Sequence, residues 1–216
     1  MTPITFQTGK NITVRFPVLY KYLEQEYIDE FFSGGKLRIS SFKKFQSYDD
    51  EIRGDKNEGS GMVLRNENGS HVGVYAFSGL NEYLLSTSLI LSDVLKEKFC
   101  KSYFQIHDPL AFSIAVSNAL VGCIEAKMGF CDYLETRSIF RSDGVENTDP
   151  EKKATPTQEH FNKVMQDTRE LMFVKSIEYQ YQAEYRFVWS IDTRFFELYD
   201  HVDIICKEAI QYCTKI

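Results

Sequence analysis

Residues 180–189 read Gln-Tyr-Gln-Ala-Glu-Tyr-Arg-Phe-Val-Trp. Side chains on an extended strand alternate between its two faces. Gln180, Gln182, Glu184, Arg186 and Val188 then share one side, and Tyr181, Ala183, Tyr185, Phe187 and Trp189 share the other. The aromatic side reads as core. The polar side is either a solvated face, with Glu184 salt-bridged to Arg186, or the floor of a site.

The sequence before this strand alternates short strand signals with helical ones. VLYKY reads as a strand, and LEQEYIDEFFSGG follows as a helix, with Leu23, Tyr27 and Phe31 at helical spacing and two glycines as its stop. KLRISSF is a second strand. Asn68-Gly69 sits between two strand-like runs and predicts a hairpin. YLLSTSLILSDVLKEKFCKSYFQI gives a strand or helix start, a helical middle and a strand. Asp108-Pro109 opens a helix as cap and first residue. IEAKMGFCDYLETRSIF reads as a hairpin pair, QEHFNKVMQDTRELMF as an amphipathic helix, VKSIEYQYQAEYRFVWSI as one long strand, and VDIICKEAIQYCTKI as a closing strand and helical turn. Short strands mixed with helices, without regular βαβ spacing, predict an α+β fold with a largely antiparallel sheet.

With 216 residues the chain is expected to form a single domain, residues 1–216, around its own core. Two polar, Gly- or Pro-bearing stretches, near 46–61 and 141–157, read as mobile loops. The 17 Phe and 13 Tyr favour strands and stacking surfaces over a helix bundle. A net charge of −6 argues against unspecific phosphate binding, without excluding a local basic patch. Five irregularly spaced Cys, with no C-x-x-C pair, read as free thiols of a reducing cytosol. The N-terminal stretch lacks a signal peptide's apolar run, and no stretch is long enough to span a membrane, so a cytoplasmic location is expected.

Two short motifs carry candidate chemistry. Gln182-x-Glu184 on a late strand resembles the catalytic signature of ADP-ribosyltransferases. In that family the second residue is a carboxylate that hydrogen-bonds the nicotinamide ribose of NAD and steadies the positive charge that develops as the glycosidic bond breaks. The residue two earlier orients the acceptor. Ser86-Thr87-Ser88 resembles the S-T-S that supports the NAD pocket in one branch of these enzymes, with Arg15 and Arg38 as the arginines preceding it. The same serines can instead cap the helix that follows.

A broader resemblance covers most of the chain. The Tyr-Lys-Tyr strand, the helix ending in Gly, L-R-x-S-S and the acidic D-E-x-R-G-D-x-x-E-G loop resemble a widespread group of uncharacterised bacterial proteins. So does the late Lys175, Tyr179, Glu184, Arg186 pattern. Some relatives look like toxin or phage-defence ADP-ribosyltransferases that modify nucleic acid. The resemblance implies a mixed, largely antiparallel split sheet flanked by helices, with NAD as substrate. It implies that Tyr20, Lys21, Tyr22, Ser86 and Arg186 line the NAD cleft, that Arg53 neutralises the pyrophosphate, and that Glu184 and Gln182 do the catalytic work. A macromolecular acceptor, an antitoxin or chaperone partner, and no membrane complete that expectation. A non-enzymatic sensor of a defence system is the alternative.

A third reading is a metal-dependent nuclease built on Asp49, Asp50, Glu51, Asp55 and Glu58, although their spacing does not match an EF-hand and a solvated loop is the simpler expectation. None of the four His residues forms an H-x-x-x-H pair. A dinucleotide-binding G-x-G-x-x-G, a P-loop and a G-x-S-x-G elbow are all absent from the sequence. No metal is therefore expected.

Overall fold

The computed structural model describes residues 4–7, 11–47, 55–67, 70–142 and 155–216. A two-stranded antiparallel ribbon comes first, β1 (Ile4–Gln7) and β2 (Asn11–Val14). The Tyr-Lys-Tyr segment is β3 (Leu19–Tyr22), followed by helix α1 (Gln25–Gly34) and strand β4 (Lys36–Ser41). Helix α1 buries Ile28 and Phe31 and leaves Tyr27 exposed, so its inner stripe is offset from the spacing read in the sequence. Gly35 ends it at φ 77°, and its N–H donates to the Phe31 carbonyl at 2.7 Å. A Cβ at this position would sit 2.6 Å from Lys207 N, so only glycine fits the turn.

Helix α2 (Phe42–Gln46) follows β4 directly, over residues that the sequence reads as a strand end and the start of a polar, loop-like stretch. The Ser41 hydroxyl caps it by accepting the Lys44 N–H at 3.3 Å. The expected hairpin is β5 (Ser60–Glu67) and β6 (Ser70–Phe77), registered Glu67 against Ser70 around the two-residue connection. Next come β7 (Glu82–Ser88), α3 (Asp93–Lys98), β8 (Tyr103–Ile106) and α4 (Pro109–Ala119). Asp108 caps α4 as expected, its carboxylate accepting the Ala111 N–H at 3.0 Å.

The later half departs from the sequence reading in three places. β9 (Cys123–Phe130), β10 (Asp132–Leu134) and β11 (Ser138–Ser142) do not pair with one another. Helix α5 (Gln158–Asp167) stops earlier than expected and continues as a 3₁₀ turn over Thr168–Phe173. The long strand is broken: β12 (Val174–Ser176), a 3₁₀ turn over Ile177–Gln182, then β13 (Glu184–Ile191). The break is at Ala183, in the left-handed region at φ 44°, ψ 52°. β14 (His201–Ile205), a 3₁₀ turn and β15 (Cys213–Lys215) close the chain.

An eight-stranded sheet runs β14-β4-β7-β3-β8-β15, with β13 on the other side of β7 and β9 beyond it. A smaller sheet, β11-β5-β6, and the pair β10-β12 complete the set. The β5–β11 and β10–β12 pairings are parallel and the others antiparallel, so the fold is α+β with mostly antiparallel sheets. α1 and α4 cover one face of the large sheet around Leu19, Phe31, Phe104, Phe112, Phe187 and Trp189. Val63, Val72, Ile139 and Val164 form a second cluster between the small sheet and α5. Among the described residues no helix is long and apolar enough to cross a membrane.

Candidate functional site

The site begins with a gap in the sheet. β7 is paired with β13 from Glu82 to Ser88. On its other side it meets β4 only at Tyr83 and Leu84, and β3 only at Ser88. Leu85, Ser86 and Thr87 have no strand partner there, because β4 and β3 diverge. A backbone carbonyl left in such a gap needs another donor. Lys21 supplies it, its Nζ donating to Ser86 O at 2.9 Å.

The gap opens into a cavity of about 350 Å³. β3 contributes Tyr20, Lys21 and Tyr22, β4 contributes Arg38 and Ser40, and β7 contributes Ser86 and Ser88. Lys175, Gln182 and Glu184 enter from the broken strand. Tyr20 and Tyr22 both rest on Tyr103, ring centroids 6.0 Å apart in each case. The Tyr22 hydroxyl donates to Ile90 O and accepts the Ser92 N–H, each at 3.1 Å, which ties the cavity wall to the start of α3.

Glu184 is 4% exposed and heavily coordinated. Its Oε1 accepts from Ser86 Oγ at 2.5 Å and Arg186 Nε at 2.7 Å, and its Oε2 accepts from Lys175 Nζ at 2.7 Å. A carboxylate offers about four acceptor positions, so three are filled and one on Oε2 is left. Lys175 Nζ also donates to Gln182 Oε1 at 2.7 Å and lies over the Tyr179 ring at 4.7 Å. Behind Glu184, Arg186 Nη1 donates to Met172 O and lies 2.8 Å from Glu58 Oε1, paired electrostatically but out of hydrogen-bond alignment. The result is a buried chain of alternating charge, Lys175–Glu184–Arg186–Glu58.

Burial pushes the Glu184 carboxyl upward. Arg186 first, then Lys175, outweigh that and hold it well below the usual carboxylate range. Burial lowers Lys21 to about 8, against the opposing pull of Glu184 and Cys100. Arg186 stays protonated: burial works against its charge, and Cys131, Glu184 and Glu58 together override it.

Glu184, Gln182, Tyr20, Lys21, Tyr22 and Ser86 therefore line one cavity. Gln182 is not on Glu184's strand, as the period-two reading has it. It ends the 3₁₀ turn, and the left-handed Ala183 swings it back so that both side chains meet Lys175. The polar face of β13 is buried rather than solvated. Arg186 is fully buried and does not line the cavity, and it reaches the site only through Glu184. Arg53 lies outside the described residues, as do Asp49, Asp50 and Glu51 and most of 141–157.

Ser86, Thr87 and Ser88 cap no helix. Their hydroxyls donate to Glu184 Oε1, Tyr185 O and Gln182 O, which fastens β7 to the start of β13. Of the two early arginines, Arg38 is at the cavity wall, forked onto Asp203 at 2.6 and 2.8 Å, and Arg15 is exposed.

The sequence pattern places Lys175 with Glu184 but assigns it no role in the site, and one continuous extended strand would hold the two about 30 Å apart. Asp55 and Glu58, expected in a solvated loop with cation binding as the alternative, are buried instead, Asp55 paired with Arg137 and Glu58 with Arg186. Among the described residues no group of three or more His, Cys, Asp or Glu is arranged to hold a metal. No family model, curated protein or solved structure matches the chain.

Proposed function

We propose that the chain is an NAD-dependent ADP-ribosyltransferase-like enzyme that modifies a macromolecule, with nucleic acid as the acceptor class, in a bacterial toxin or phage-defence setting. The observation that carries this reading is Glu184: an ionised carboxylate at the gap of a split sheet, oriented by three donors, with one acceptor position left beside a cavity. NAD would supply a glycosidic bond whose cleavage places positive charge on the ribose. Glu184 Oε2 accepts a ribose hydroxyl and strengthens that bond as charge develops. Lys175 and Arg186 hold the carboxylate ionised and fixed. They also cancel much of its net field, so its contribution is a directed hydrogen bond rather than a bare negative charge.

Gln182 orients the acceptor from the Lys175 side. Tyr20, Lys21, Tyr22 and Ser86 form the cleft wall, and Arg186 acts behind Glu184. Arg53 remains the proposed partner of the pyrophosphate. The volume of about 350 Å³ is at the lower end for ligand pockets, which suits the nicotinamide-ribose half with the remainder of the molecule leading outward. A cytoplasmic setting and an antitoxin or chaperone partner belong to the same reading.

The test is transfer of labelled ADP-ribose from NAD to a nucleic-acid or protein acceptor by wild type and Glu184→Gln. Activity in wild type and its loss in the variant is the expected result, and equal turnover in both removes Glu184 from its role. One observation favours a second reading: three of the four Glu184 acceptor positions are already filled by the protein, as in a structural ion network. A binding or sensor module would then show a raised melting temperature with NAD, ADP-ribose or a nucleotide, since a ligand that binds only the native state stabilises it, and no turnover.

A further inference from the structure

Four cations line the cavity, and three are committed to carboxylates. Lys36 pairs with Glu30 at 3.0 Å, Arg38 with Asp203 at 2.6 Å, and Lys175 with Glu184 at 2.7 Å. Lys21 is the exception: among the described residues no carboxylate lies within ion-pair distance of it. Its Nζ is held by one backbone carbonyl, Ser86 O, in the stretch of β7 that lacks a strand partner. Tyr20 and Tyr22 flank it in sequence, and Leu23, Leu95 and Phe99 add apolar wall to the same cavity.

We propose that Lys21 is the reactive amine of this cavity, a site that forms an imine with a small aromatic aldehyde. An amine becomes a nucleophile when its surroundings favour the neutral form, and a desolvated lysine in an apolar recess meets that condition. The groups acting on Lys21 are Glu184 of β13 and Cys100 before β8, both favouring the ammonium. Burial outweighs them and brings it to about 8. The cavity wall also carries Tyr20, Tyr22, Glu24, Tyr27 and Lys175, the ion pairs Lys36–Glu30 and Arg38–Asp203, and Glu58. The aromatic class follows from Leu23, Leu95 and Phe99 in the cavity wall, which accept a flat apolar body while the carbonyl carbon reaches Nζ.

The step is balanced without a redox partner. The ammonium gives its proton to solvent, and the nitrogen lone pair forms a bond to the carbonyl carbon. The C=O π pair moves to oxygen, and the carbinolamine expels water to leave C=N. The step uses a wall residue of the same cavity as the NAD reading but needs neither NAD nor an acceptor, so the two fail or stand separately.

The experiment treats the full chain with salicylaldehyde and sodium borohydride near neutral pH and maps the trapped secondary amines by peptide mass. Lys101 and Lys207, both exposed, serve as internal references. An amine near 8 has a neutral fraction on the order of a hundred times that of an ordinary lysine at this pH. Lys21 is expected to label at least about tenfold faster than either reference after allowance for its lower basicity. The preference should vanish in denaturing urea. Lys21→Arg, which keeps a donor for Ser86 O, should fold and lose the first adduct. Labelling of Lys21 no faster than the references overturns the proposal. So does a preference that survives unfolding, or a first adduct that persists in folded Lys21→Arg.

Discussion

The two faces of β13 are buried equally and built on different physics. On one face Tyr185, Phe187 and Trp189 are at most 3% exposed, and Phe187 stacks on Trp189 at 5.9 Å. The Trp189 indole N–H finds Ser117 Oγ at 3.1 Å. This face asks of its neighbours mainly that they fill space. On the other face Glu184 is 4% and Arg186 0% exposed, and each charge is stable there only because the next one opposes it. An apolar face loses stability by degrees as its shape is spoiled. A charged face fails abruptly when one partner is removed, because the remaining ion is left without compensation. The charged face is also the one that meets the cavity.

The largest effect expected from this contrast is at Arg186. Arg186→Met keeps much of the volume and strands Glu58 and Glu184 together, so a loss of about 3–5 kcal/mol is expected in urea unfolding. Phe187→Leu on the opposite face, a partial large-to-small change, should cost about 1–2 kcal/mol. If Arg186→Met cost no more than Phe187→Leu, the two faces would not differ in kind.

Glu184→Gln sharpens the comparison by separating function from stability. On the proposed transferase reading, removing one charge-stabilising acceptor is expected to lower NAD-dependent transfer by about 100- to 1,000-fold. Unfolding by urea should reveal a smaller loss than Arg186→Met, since the amide still accepts from Ser86 and Arg186 through one oxygen.

Acid gives a third probe with a definite sign. The folded Glu184 carboxyl is held below its unfolded value, so its contribution is fully present above about pH 4.3. It is lost as pH falls from there through the depressed folded value. The stability gap between wild type and Glu184→Gln should therefore narrow below about pH 4, while the gap for Phe187→Leu should not follow this carboxyl. Lys21 gives the same slope at the other end for the opposite reason, since there burial disfavours the charged form. Its folded value is lowered to about 8, so the unfolded chain binds the extra proton and stability rises with pH between there and about 10.4. Replacing Lys21 with Met should abolish that rise, read from melting temperatures across the window.

How much of this contrast the sequence carries depends on which link is local. The aromatic face of β13 was legible because alternation within Tyr185-Arg186-Phe187-Val188-Trp189 is a property of the strand itself. The helix stop at Gly35, the Asp108 cap and the β5–β6 hairpin were legible for the same reason. The S-T-S triplet and Glu184 were visible as residue types, but their contact is a register between β7 and β13, set by tertiary pairing. Lys175 was visible in the late pattern, but its contact with Glu184 was hidden by the bend at Ala183, which no glycine or proline announces. The parallel pairings of β10 with β12 and β11 with β5 join segments far apart in the chain and leave no trace in local periodicity.

That bend supplies the smallest and most discriminating prediction. A non-glycine residue in the left-handed region is strained by about 1–2 kcal/mol, and Ala183 bears that at φ 44°, ψ 52°. Its neighbours fix the turn from both sides: the Ala183 N–H donates to Gln180 O at 3.1 Å, and its carbonyl accepts the Leu89 N–H at 2.9 Å. Ala183→Gly relieves the strain, and the extra freedom of glycine in the unfolded chain takes back about 0.4–1 kcal/mol. A net gain below about 1 kcal/mol is expected in urea unfolding, with Glu184 chemistry retained because the Lys175 contacts do not involve the Ala183 side chain. A loss of stability would mean that the methyl group packs into the charged face, and that the bend is held by shape as the aromatic side is, rather than by the ion chain that closes across it.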